Sequence, residues 1–263
     1  MSIEKDNTII FLPYIVYKNI ILCLEKYRNL EILSGSLYVE SKKSKLKEKY
    51  NKDTNQNTEM SSMIDQKTFT KNIQYYGYAL IEAKDSNNKD RRFPKTILDQ
   101  NKNKPVKTYV LLFDTDSIYA QTTQNFIKVL SRIPGFDDKN RNFNMDIIIV
   151  SINELNLYIM KKVDSLITEG DENNGYIHIH PYRYYHFTSE RPKHKLVAEQ
   201  RIISKQEEKK VLENLSTEKK YLPKIRKVDA ISIWLGCEIG DIIEAKVLSE
   251  ISGIDTKYLV VRP

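Results

Sequence analysis

The sequence predicts two unequal units, an α/β domain over residues 1–189 and a small α+β domain over residues 190–263. Three observations predict this. Tyr109-Val110-Leu111-Leu112-Phe113 and Ile147-Ile148-Ile149-Val150 are continuous apolar runs, each followed by a helical pattern. Such runs are the signature of strands in a sheet buried on both faces, with βαβ crossovers. Near Glu190-Arg191-Pro192 the alternation stops, and beyond it glycine turns punctuate a short helix and two strands.

The elements follow in chain order. Val16, Ile20, Ile21, Leu24 and Tyr27 recur at helical spacing, so residues 14–29 read as an amphipathic helix. After Ser34-Gly35-Ser36 comes a lysine-rich helix around Ser41 to Tyr50, then a polar loop from Asn51 to Thr58. Tyr75 to Ala83 reads as a strand, and Lys84 to Lys104, with Lys89, Arg91, Arg92 and Lys95, as a looping segment. The helix carrying Ile118, Phe126, Ile127 and Leu130 is ended by Ile133-Pro134-Gly135, and a second helix runs from about Leu155 to Ile167. Past the Gly170 to Gly175 loop, Tyr176 to Phe187 supplies one or two further strands.

In the second unit Ser204-Lys205-Gln206-Glu207 is a capping box, in which serine and glutamate side chains satisfy each other's backbone amides. Its helix extends to about Leu215. Asp229 suits the N-cap of the next helix, where a carboxylate meets unpaired amides and the positive dipole end. Ile231, Trp234 and Leu235 form the buried stripe of that helix, and Gly236 its left-handed cap. Ile243, Ala245 and Val247 alternate with Glu244 and Lys246 as a half-buried strand, and Ser252-Gly253 turns into a terminal strand.

At 263 residues, with 40% hydrophobic and 29% charged residues, the chain can bury a real core beneath a heavily solvated surface. Its net charge of +7 fits contact with nucleic acid or an acidic protein and decides between neither. Two distant cysteines, Cys23 and Cys237, make no disulfide framework and point to a reducing intracellular compartment. The apolar stretch Ile9 to Leu24 is interrupted by Pro13, Lys18 and Asn19, too broken for a membrane span or signal segment.

The C-terminal block carries a family pattern. His194-Lys195-Leu196-Val197, Leu222-Pro223-Lys224-Ile225, Asp229, Gly236, Gly240, Ile242-Ile243, Ser249-Glu250, Gly253 and Tyr258 stand in one order and at nearly constant spacing. This block resembles the assembly domain of the fifth subunit shared by eukaryotic nuclear RNA polymerases (the Rpb5 type), which has a shorter archaeal homologue. Ala198, Gln200, Ala230, Glu238-Ile239 and Val247-Leu248 depart from the family pattern. The N-terminal part resembles the family's eukaryotic jaw domain more faintly, through residues 16–50 and 109–167, which implies a restriction-endonuclease-like sheet with flanking helices. The archaeal homologue lacks that domain, so its presence here points to a eukaryotic or, given the expanded polar loops, a large-DNA-virus source.

The resemblance implies a non-catalytic subunit that docks on the largest polymerase subunit and other polymerase subunits, forms a lower jaw near downstream duplex DNA and needs no cofactor, metal or small-molecule substrate. It implies location in the nucleus for a cellular source, or in the virion or virus factory for a viral one. The implied subunit interface is Leu222, Pro223, Ile225, Asp229, Gly236, Gly240, Ile242, Ile243, Ser249, Glu250, Gly253 and Tyr258. The loop Ser151-Ile152-Asn153-Glu154 replaces a Thr-Pro-Ser loop that lies near DNA in the family. That makes Ser151 and Asn153 DNA-proximal, with Lys42 and Lys43 of the basic run adding attraction through counterion release.

Sharper chemistry competes with plainer readings. Glu82-Ala83-Lys84 closing a strand, with Asp65 upstream, has the residue types of a Mg²⁺-dependent nuclease, the alternative function. A second Glu-Ala-Lys at Glu244 to Lys246 shows how cheaply the tripeptide arises, and strand-end charges facing solvent are commoner. His178, His180 and His186 lack the cysteines a zinc site would add, and surface-strand histidines are the plainer reading. Asp114 and Asp116 follow a buried strand, where Asp116-Ser117 serves as a helix cap.

Overall fold

Capping decides where the chain turns helical. The computed structural model describes residues 3–33, 64–85, 104–114, 121–138, 141–168, 174–194, 197–249 and 253–263. The first helix, α1 (Ile3–Leu22), includes Pro13, which removes one donor from the ladder, and runs on into a π-helical turn over Cys23–Tyr27. This helix begins well before the expected Tyr14. Beyond the π turn the chain reverses at Asn29, held at φ 54°, before the short strand β1 (Leu30–Ile32).

A helix that the pattern did not announce, α2 (Gln66–Tyr76), corrects the strand expected from Tyr75. Asp65 Oδ1 accepts from the Thr68 amide at 3.1 Å, Phe69 and Ile73 form a buried i,i+4 stripe, and Gly77 at φ 76° closes the end. Two caps and a buried stripe outweigh the β preference of Tyr75-Tyr76, so β2 (Tyr78–Asp85) starts three residues late.

The first sheet has the order β1-β2-β3-β4-β5, with β3 (Val106–Phe113), β4 (Asn144–Ser151) and β5 (Ile177–Arg183). β1, β2 and β3 are antiparallel neighbours, whereas β3, β4 and β5 are parallel. The parallel pairs are those joined by α3 (Thr123–Leu130) and α4 (Leu157–Leu166), capped by the side chains of Thr122 and Asn156. Both faces of the sheet are covered. One packs Val110, Leu112, Ile148 and Val150 under α1 and α2, and the other packs Tyr109, Leu111, Ile147 and Ile149 under α3 and α4. Tyr176 to Phe187 supplies a single strand followed by a 3₁₀ turn, Tyr184–Phe187.

The second sheet, β6-β8-β9-β7, contains β6 (Glu199–Ile202), β7 (Lys224–Arg226), β8 (Ile242–Ser249) and β9 (Gly253–Arg262). α5 (Lys205–Asn214) begins at a complete Ser204–Glu207 capping box, as the sequence indicates. β6 and β7 went unread because both are short edge strands without buried periodicity. The expected lysine-rich helix of 41–50, the Asn51–Thr58 loop, Asp116 and most of the Lys84–Lys104 segment lie outside the described residues. Among the described residues, no helix is long and apolar enough to cross a membrane.

The loops at the N-terminal end of the parallel strands converge on one buried cation. Arg141, 5% exposed, donates from Nη1 to the carbonyls of Gly135 and Phe136 at 3.1 and 3.3 Å and from Nη2 to that of Gly175 at 2.9 Å. Gly175 is packed so tightly that a Cβ would lie 2.0 Å from the Phe143 carbonyl oxygen. Replacing Arg141 by Leu strips the donors from three carbonyls and lowers stability by about 3 kcal/mol. Chemical denaturation followed by circular dichroism measures that loss, and an unchanged midpoint contradicts it.

Candidate functional site

The short helix α6 (Ala230–Leu235) belongs to the second sheet by connectivity and to the first sheet by packing. Asp229 caps it, accepting from the Ile231 amide at 2.9 Å, and Gly236 at φ 67° ends it, as expected from the sequence. Trp234 and Ile233, 0% and 1% exposed, lie in the same apolar cluster as α1, α2 and one face of the first sheet. The Trp234 indole N–H donates to the His186 carbonyl at 2.8 Å, with Tyr27 edge-on at 5.4 Å and Phe187 at 6.0 Å between ring centres.

The π turn supplies the opposing half of this joint. Cys23 Sγ donates to the Trp234 carbonyl at 3.4 Å and Arg28 Nη2 to the Ile233 carbonyl at 2.5 Å, so two C-terminal carbonyls of α6 are capped from the other domain. The absence of a Cβ at Gly236 matters here, because one would sit 3.2–3.4 Å from the Arg28 side chain. Burial pushes the Cys23 thiol pKa up, which keeps it a neutral donor. At the rim, Glu190 accepts from Lys26 at 2.7 Å and Tyr27 at 2.6 Å. Sequence reasoning placed Trp234 in a core but assigned no role to Cys23, Tyr27 or Arg28. Only the π turn aims them across the joint, and nothing in the local pattern marks it.

The three histidines continue the joint and hold no metal-like arrangement. Tyr176, His178, His180 and Tyr182 form a ladder on one face of β5, with ring centres 5.5, 5.6 and 6.2 Å apart. Burial drives the His180 pKa down to about 3, against the pull of Asp146 and assisted by Lys227, His178 and Arg28. His186 is held at about 4 by burial together with Arg183 and Arg191. Among the described residues no group of three or more His, Cys, Asp or Glu side chains could hold a metal ion.

The expected interface residues separate into three roles. Leu222, Ile242 and Ile243, at most 6% exposed, are turned into the chain and shape the domain rather than its surface. Leu222 and Ile242 pack with Ile203 and Val260 beneath α5, while Ile243 packs with Cys237 and Val261 on the other face. Asp229, Gly236, Gly240 (φ 92°) and Gly253 (φ 76°) set caps and turns. Pro223 is exposed and Ile225, Ser249 and Tyr258 are partly so, with the Tyr258 hydroxyl donating to Glu244 at 3.3 Å. Glu250 lies outside the described residues.

Past its pairing with β6 and β7, the β8–β9 hairpin stands clear of the body. β6 reaches only Lys246 on one side and β7 only Val260 on the other. Residues Gly253 to Lys257 are exposed, Ile254 to 64%.

The expected DNA-proximal loop is closed on itself. Ser151 is buried and its hydroxyl donates to the Asn153 carbonyl at 2.7 Å, while exposed Glu154 pairs with Arg183 at 3.0 Å. Asn153 is exposed, and Lys42 and Lys43 lie outside the described residues. The residues weighed for a nuclease have other duties. Asp65 caps α2, and Glu82 accepts from the Tyr109 hydroxyl at 3.3 Å with Lys107 at 3.8 Å.

Residues 190–261 match the family described as RNA polymerase Rpb5, C-terminal domain. The chain is 39% identical over 69 residues to the DNA-directed RNA polymerase subunit Rpo5 of Methanosphaera stadtmanae, covering 26% of this chain and 90% of that one. It is 44% identical over 69 residues to subunit Rpo5 of Pyrococcus horikoshii, covering 26% and 84%, and 42% identical over the same length to that of Pyrococcus abyssi.

Two outcomes follow from the joint. Trp234→Ala removes its largest buried side chain and lowers stability by about 3–5 kcal/mol. Differential scanning calorimetry should show one cooperative transition becoming two, and an unsplit transition at the wild-type temperature refutes the coupling. The histidines set a pH dependence. Folded His180 and His186 titrate near 3 and 4 against an ordinary 6.5, so the unfolded chain binds protons first as pH falls. Their contribution is complete above about 6.5 and is lost progressively toward 3. The melting temperature therefore falls with acidification, and His180→Gln flattens that slope.

Proposed function

Because the chain belongs to the Rpb5-type family of DNA-directed RNA polymerase subunits, we propose that it acts as a non-catalytic subunit that docks on the largest subunit through residues 190–263 and carries residues 1–189 as a lower jaw near downstream duplex DNA. The observation that carries this reading is the second sheet of the family domain, from which the β8–β9 hairpin extends beyond its pairing with β6 and β7, with Gly253 to Lys257 exposed among the described residues. An isolated two-stranded ribbon is marginal in water, and burial against a partner stabilises it. Exposed Ile254 gives that burial an apolar anchor.

The first domain is positioned by the joint rather than tethered by a linker. A jaw held by Trp234, Cys23 and Arg28 keeps a fixed direction once the second domain is seated. Contact with DNA there would be weak, since Glu154 pairs with Arg183 and leaves that cation less free for phosphate. Nucleotide chemistry is left to other subunits, and the expected location is wherever the polymerase assembles, in the nucleus or in a virus factory and virion.

Affinity purification from the native source tests the assignment by asking whether the two largest polymerase subunits accompany the chain. Ile254→Asp alters only surface, so it keeps the wild-type melting temperature and lowers recovery of the largest subunit at least about tenfold. Ile243→Asp places a charge at a fully buried position and removes fold and docking together, which makes it the poorer probe. Normal recovery with Ile254→Asp excludes the hairpin as the docking element.

A further inference from the structure

One corner of the second sheet carries cations that no carboxylate among the described residues neutralises. β7 runs parallel to β9 with Lys224 beside Val260 and Arg226 beside Arg262. Register partners in a parallel pair project to the same face about 4.8 Å apart, so the two arginine side chains leave the sheet on one face. Like charges in directly opposed positions destabilise a sheet. Arg226 is exposed, and Arg262 is half-buried with its Nε enclosed and without a hydrogen-bond partner.

Several other cations of this sheet and its turns are matched. Arg201 bonds Glu244 at 2.6 Å and Glu207 at 2.9 Å, Lys227 bonds Glu238 at 2.7 Å, and Lys246 reaches Glu199 at 3.3 Å. Among the described residues no carboxylate pairs with Lys224, Arg226 or Arg262. A short edge strand bearing lysine is a common guard against unwanted strand pairing, and Lys224 alone would serve that purpose. A second, adjacent arginine adds repulsion without adding protection.

The surroundings distinguish the two ligands that such a pair could take. Tyr221 and Val228, 69% and 64% exposed, flank β7, and arginine with tyrosine and aliphatic side chains is the composition of protein interfaces. Exposed Asp229 follows the strand three residues beyond Arg226, where it would disfavour a continuous phosphate backbone but leave space for a single carboxylate. We propose that Arg226 and Arg262 form a two-guanidinium clasp that receives a carboxylate from an acidic segment of a polymerase partner subunit. This rests on the docking function given above. Bidentate forks suit a planar carboxylate, and the incoming charge relieves the repulsion that the free chain sustains.

The full-length double variant Arg226→Gln/Arg262→Gln tests the clasp. Two readouts are used: recovery of the two largest polymerase subunits across a salt series, and binding of a labelled hexaglutamate peptide by fluorescence anisotropy. The variant should bind the peptide about tenfold more weakly and release polymerase at lower salt, with an unchanged thermal midpoint. Arg226→Lys/Arg262→Lys should recover part of the loss, and Lys209→Gln/Lys210→Gln on α5 none of the effect. Wild-type recovery and peptide binding by the double variant overturn the clasp, as does a loss of duplex DNA binding with peptide binding intact. If the double variant is destabilised, Arg226→Gln alone, at an exposed position, decides by the same readouts. Failure of the unmodified chain to recover polymerase at all would instead defeat the docking function.

Discussion

The architecture depends on one large side chain crossing from the second sheet to the first. Trp234 is fully buried among residues of α1, α2 and the first sheet, and its indole N–H is satisfied by the carbonyl of His186. A buried indole needs both an apolar seat and an acceptor, and each comes from the first domain. Cys23 caps the Trp234 carbonyl, and Arg28 adds a second donor to the Ile233 carbonyl that already accepts from the Gly236 amide. Removing residues 1–189 would expose the indole and leave the Trp234 carbonyl to water. The two sheets are separate in strand order, and Trp234 joins the elements around them in one apolar cluster.

Electrostatics around this joint favour neutral and paired groups. His180 and His186 are kept neutral by burial and by neighbouring cations, which protects the ladder of adjoining rings from internal charge repulsion. Surface pairs such as Lys26–Glu190 guide the rim but contribute little stability. The Arg226–Arg262 pair differs in setting two like charges in register, and Arg226 lies exposed on the edge strand β7.

Much of the fold was legible wherever a physical rule acts locally. The continuous runs at 109–113 and 147–150 became central parallel strands because a sheet covered on both faces requires apolar residues at every position. Asp229, Gly236 and the Ser204–Glu207 box were readable because caps use few residue types at fixed spacing. Tyr75-Tyr76 misled, since tertiary packing of Phe69 and Ile73 overrode the local preference. Ile242 and Ile243 belong to the family pattern for an internal reason, as each fills a different face of the second sheet. Arg28 and the aim of the π turn were invisible, because contacts separated by two hundred residues leave no periodic trace.

The tryptophan joint also bears on how far the chain could be shortened. The archaeal Rpo5 chains are matched over most of their length by about a quarter of this one, so the matched stretch is a compact part of a longer chain here. Trp234 lies in that stretch and is seated among residues outside it. A deletion that pruned the first half would leave an unpaired indole and a bare apolar helix face, so a shortened chain would need a polar surface in their place.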